Sequence, residues 1–142
     1  GCLTLGSESV YDKNIVLSNI DVNKANRVLW LKMRPDTPQH YEYVTVENIK
    51  GTTGSFLVVR PWTQFFKPQQ RMDMPQSFCR NITVKNITMD CENFFDVGTS
   101  DKYELCDFTF DHIRVSDVKD AFSATMIPGT KVNDVIINGK KR

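Results

Sequence analysis

Apolar and polar residues alternate along short stretches of this chain, and one such stretch recurs. It reads NIVLSNI at Asn14–Ile20, YVTVENI at Tyr43–Ile49, NITVKNI at Asn81–Ile87 and DFTFDHI at Asp107–Ile113, with a weaker copy, DVIINGK, at Asp134–Lys140. Successive starts are 29, 38, 26 and 27 residues apart, a spacing typical of stacked repeats whose insertions fall in loops. Within each copy one parity is apolar: Ile15 and Leu17, Val44 and Val46, Ile82 and Val84, Phe108 and Phe110, Val135 and Ile137. The other parity carries Thr45, Glu47, Thr83, Lys85, Thr109 and Asp111. A period of two marks a strand with one buried face and excludes a helix.

The inward parity next reaches Asn19, Asn48, Asn86 and His112, and Ile follows each of them. A chain that bends there and starts a new face accounts for both facts. Stacking the repeats would then set the amides about 4.8 Å apart as a buried, hydrogen-bonded ladder. Second strands are predicted at Val28–Met33, Phe56–Val59, Phe94–Val97 and Ala121–Ile127. Several short strands per repeat with few helix signals predict an all-β fold, a right-handed single-stranded parallel β-helix of about four to five coils. An antiparallel sandwich also alternates, but gives no reason for one heptapeptide to recur once per repeat. Residues 1–142 are expected to form the C-terminal part of one such domain, with no separate second domain. The stretch from Pro61 to Phe78 is the longest interruption, and long loops on such scaffolds often line binding sites.

Composition narrows the function classes. Eighteen Lys and Arg against seventeen Asp and Glu give a net charge of +1, so no bulk field draws the chain to nucleic acid or to an anionic membrane. The apolar runs are far shorter than a membrane-spanning helix needs, and the first residues carry no signal-peptide pattern. Cys2, Cys79, Cys91 and Cys106 have no C-x-x-C spacing, and His40 and His112 complete no metal pattern. Buried free thiols are the simplest reading, with one disulfide open in an oxidising compartment.

Local chemistry is more informative. If Leu29, Leu31 and Met33 face the core, then Trp30, Lys32 and Arg34 share the outer face. Aligning Arg34-Pro35 with Arg60-Pro61 stacks the two arginines and brings Trp62 beside them. Aromatic rings suit the apolar faces of sugars, while Arg and Lys bind carboxylates, so the patch suits an acidic polysaccharide. The same residues also describe an ordinary solvated face with a few charges. Asp96, Asp101, Asp107, Asp111, Asp117 and Asp120 are expected at turns or on the outer face and form no distinctive pair for glycoside hydrolysis.

The order Gly1-Cys2-Leu3-Thr4-Leu5-Gly6-Ser7-Glu8, then Lys13-Asn14-Ile15, then Trp30-Leu31-Lys32 resembles the polygalacturonase family's Gly-His-Gly segment, Gly-Ser-Glu turn, Asn-Val phrase and Arg-Ile-Lys motif, over essentially the whole chain. The resemblance implies cofactor-free hydrolysis of α-1,4-galacturonosyl bonds in pectin with inversion, in a periplasmic or secreted setting. It places Lys32 on the substrate carboxylate and puts Trp30 where the family has arginine, a gap that Arg34 or Arg60 would fill. It implies that the catalytic histidine and acidic motifs precede Gly1. The expected substrate-binding set is Lys32, Arg34, Arg60, Trp30 and Trp62, with no catalytic residue inside the chain. A polysaccharide lyase on the same fold is the alternative enzyme, and a non-catalytic polysaccharide-binding β-helix the alternative outside enzymes.

Overall fold

The computed structural model describes residues 1–35, 37–63 and 76–142. Seven strands form one open sheet in chain order: β1 (Leu3–Leu5), β2 (Tyr11–Met33), β3 (His40–Pro61), β4 (Ser77–Val97), β5 (Tyr103–Ser116), β6 (Lys131–Ile137) and β7 (Lys140–Lys141). Each pairs in parallel with the next, except the last two, which are antiparallel. The fold is all-β. The stretch Ala121–Ile127, expected as a strand, instead holds a 3-10 turn at Ala124–Met126. Its apolar residues are there to plug the core: Phe122 packs on Phe110 at 5.1 Å, and Ala124 and Ile127 are buried.

The recurring phrase stacks in register. Val44 pairs with Ile15 and Ile82, and Ile82 with Phe108, while Ile49 pairs with Ile20 and Ile87, and Ile87 with Ile113. The inward apolar residues of β3, β4 and β5 in this phrase are buried, whereas Ile15 and Leu17 at the sheet margin are half-buried. Both ends of the phrase sit in the left-handed region. Asn14, Tyr43, Asn81 and Asp107 open it with φ between 54° and 60°, and Asn19, Asn48, Asn86 and His112 close it with φ between 54° and 61°. Short polar side chains tolerate this backbone best, which explains the preference for Asn and Asp. The turn after the second of these residues resets the inward parity, so Ile follows Asn.

Two expectations are corrected here. The amide ladder forms, with Asn48 Nδ2 donating to Asn19 Oδ1 at 3.0 Å and Asn86 Nδ2 to Asn48 Oδ1 at 2.7 Å, but it is exposed and not buried. An αL corner points the side chain away from the core. The fifth phrase is also out of step. Pairing of Asp111 with Asn133 and of Ile113 with Val135 puts Asp134 on the rung of His112, not of Asp107. Because the inward parity shifts at the corner, a five-residue slip keeps Val135 and Ile137 buried and is invisible to the apolar pattern.

The second strands at Val28–Met33, Phe56–Val59 and Phe94–Val97 are continuous with β2, β3 and β4, with Leu29, Leu57 and Phe95 on one rung. Phe56 packs on Phe94 in a tilted arrangement at 5.3 Å, and Phe94 meets Phe110 edge-on at 6.1 Å. The main-chain amides of Phe94 and Phe95 both donate to the Asp120 carboxylate, at 2.8 and 2.7 Å. Gln39, fully buried, ties the β2–β3 connection together: its Oε1 accepts from the Arg34 amide and its Nε2 donates to the carbonyl of Ser7. All four cysteines are free thiols, and Cys79 and Cys91 are buried.

Candidate functional site

Alternation along the end of β2 buries Leu29, Leu31 and Met33 completely and leaves Trp30 and Lys32 half-exposed on the other face. On that face Trp30 is next to Val58, which is next to Asp96, and Lys32 is next to Arg60. The expected stacking of Arg34 on Arg60 does not occur. The apolar rungs Leu29 with Leu57 and Leu31 with Val59 set the register, so Arg60 follows Val59 as Lys32 follows Leu31. Matching the two Arg-Pro dipeptides misplaces the strands by two residues. Arg34 instead begins the connection whose backbone Gln39 holds.

Trp62 continues beyond β3, its amide donating to the carbonyl of Met33 at 2.7 Å. This brings its indole to 5.3 Å from that of Trp30, nearly perpendicular at 82°. The Lys32 ammonium lies over both rings, 4.1 Å from the Trp30 centroid and 4.2 Å from that of Trp62. Beneath, the buried Tyr41 hydroxyl donates to the Lys32 carbonyl at 3.0 Å and fixes the backbone. Burial raises the Tyr41 pKa, so this donor keeps its proton.

The Arg27 guanidinium rests on Trp30 at 4.1 Å, a contact the sequence reading missed. The expected strand began at Val28, but β2 runs through Arg27, and Val28 and Leu29 are both buried, so strict alternation breaks just after Arg27. Consecutive apolar residues stand at Val28-Leu29, Phe56-Leu57 and Phe94-Phe95, and they are the available signal that alternation breaks there, since both members of each pair are buried.

The two rung-mates Lys32 and Arg60 differ in their partners. Arg60 Nη2 donates to Asp96 Oδ1 across the groove, and that contact raises the Arg60 pKa. No carboxylate among the described residues pairs with Lys32. Arg27, Trp30, Val58, Arg60, Trp62 and Asp96 line an open groove of about 500 Å³. Of the expected set, Trp30, Arg60 and Trp62 line the groove, and Lys32, not itself a lining residue, joins them through its contacts with the two indoles, whereas Arg34 is not among the lining residues. Of the Pro61–Phe78 loop expected to line a binding site, Pro61, Trp62 and Thr63 line this groove, and residues 64–75 lie outside the described residues.

The remaining aspartates are mostly accounted for by structural partners or exposure. Asp111 accepts from Asn133 and contacts His112, and these two contacts hold its carboxyl below the ordinary range. Asp101, Asp107 and Asp117 are exposed. A scan against protein-family models and searches of curated proteins and of solved structures each found no match.

Proposed function

We propose that this chain builds coils of a right-handed parallel β-helix and that the Trp30–Lys32–Trp62 groove binds an acidic polysaccharide, polygalacturonate or a related pectin, within a polygalacturonase-like glycoside hydrolase. The coil is supported by chain reach. A straight strand would carry Met33 roughly 73 Å from Tyr11, yet His40, within about 25 Å of Met33 along the chain, pairs with Tyr11. Folding each long strand back at its left-handed residues reconciles the two.

The observation that carries the functional reading is the Lys32 ammonium, without a carboxylate partner among the described residues, over two perpendicular indoles. Indole faces complement the C–H faces of a pyranose, and a cation at their edge selects a sugar that carries a carboxylate. Lys32 is also the residue that the polygalacturonase resemblance assigns to the substrate carboxylate. In this reading the segment contributes substrate contacts and needs no cofactor, and inversion would rest on a pair of separated carboxylates. A non-catalytic polysaccharide-binding role is the second reading, favoured by the fact that Asp96, the carboxylate lining the groove, is held by Arg60.

Trp30 and Trp62 are the two tryptophans of the chain, so intrinsic tryptophan emission reports on the groove alone. Titration with trigalacturonate should change that emission saturably, and neutral maltotriose should change it far less. An emission spectrum unmoved by trigalacturonate, or moved equally by both sugars, contradicts the proposal.

A further inference from the structure

Arg60 and Lys32 occupy equivalent outward positions on adjacent strands, but among the described residues only Arg60 of the two is bound to a carboxylate. That carboxylate comes from the next strand: Asp96 pairs with Val58, two residues before Arg60, and projects on the same face. Gly98, just after β4, donates its amide to the carbonyl of Val59 at 2.8 Å and so carries the backbone past Arg60. The pair is accessible, with the Arg60 side chain 60% exposed and that of Asp96 27% exposed. An exposed ion pair of this kind is weak and exchanges readily.

We infer that Asp96 is a resident competitor for the sugar carboxylate, holding Arg60 in the empty groove and yielding it to an acidic sugar seated on Trp30 and Lys32. This rests on the reading of the groove as an acidic-saccharide site. In the exchange the guanidinium trades one carboxylate for another, so no proton moves, and the released Asp96 carboxylate is left to solvent at the groove's partly exposed edge. Asp96 thereby works as a specificity-determining residue. A neutral sugar offers Arg60 nothing to replace Asp96, while the rejected Asp96 carboxylate repels a poorly placed anion.

The test is calorimetric titration of the 142-residue chain and its Asp96→Asn variant with trigalacturonate and with maltotriose. Asp96→Asn should bind trigalacturonate about two- to fivefold more tightly, the range for releasing one exposed ion pair, with maltotriose unchanged. Adding Arg60→Ala to Asp96→Asn should erase the gain. If Asp96 only positions Arg60, the same variant binds more weakly, and that outcome or an unchanged affinity overturns the inference while leaving the groove's assignment intact. If neither protein binds trigalacturonate, the assignment of the groove fails and the inference falls with it.

Discussion

Lys32 and Arg60 share one rung of β2 and β3, yet the first lies over two indoles and the second is bound to Asp96. Register makes the positions equivalent, and the neighbours on either side make them different. Beyond Trp30 on the Lys32 side is the second indole of Trp62, whereas beyond Val58 on the Arg60 side is a carboxylate. A mobile ammonium on an aromatic cradle is free to meet an incoming anion, and a guanidinium in an ion pair must first exchange one.

The exposed amide ladder sets a first prediction. Asn86 contributes a left-handed corner, φ 55°, and one hydrogen bond to Asn48. Asn86→Gly keeps the backbone comfortable and loses the bond, at about 0.5–1 kcal/mol. Asn86→Ala loses the bond and also strains the corner, adding about 1–2 kcal/mol. Melting curves should therefore rank the parent above Gly and Gly above Ala. Equal midpoints for the two variants would mean that the corner is not strained by a Cβ.

The ladder also illustrates what was legible in the sequence. Recurrence of Asn before Ile announced a bend, a stacked column and a parity change, because a left-handed corner and an inward Ile are both written in residue type. Exposure of the column was not legible, since the side-chain direction at a corner follows from φ and not from alternation. The five-residue slip at Asp134 escaped for a related reason: Val135 and Ile137 satisfy the inward pattern in either alignment. At the groove, Trp30 and Lys32 were legible by parity and Trp62 only through the Arg-Pro match, while Arg27 reaches Trp30 from beyond a break in alternation, and the Asp96 partner of Arg60 lies 36 residues on. Pairwise contacts across rungs depend on register, which the Arg-Pro match misread.

Alkaline pH provides a second prediction. Burial pushes the Cys91 thiol up to about 12 from 9.0 and lifts Cys79 well above 9.0, and burial likewise pushes Tyr103 up to about 12 from 10.0. Each group is neutral when protonated, so the folded chain keeps protons that the unfolded chain releases above about pH 9. Stability from these groups is complete below that pH and falls as pH rises toward 12. The melting midpoint should fall from pH 9 to 11, and Cys91→Ala should show a shallower fall. A midpoint flat to pH 11 would contradict the burial of these groups.

If Lys32 and its two indoles form one acidic-sugar site, the indole N–H resonances of Trp30 and Trp62 respond to the same ligand. Trigalacturonate should shift both resonances along one binding curve. In Lys32→Ala the same curve should move to at least about tenfold higher concentration, because a charged hydrogen bond contributes about 1.5–3 kcal/mol, while the melting midpoint stays close to that of the parent. Resonances that do not move, or an affinity unchanged by Lys32→Ala, would contradict the account.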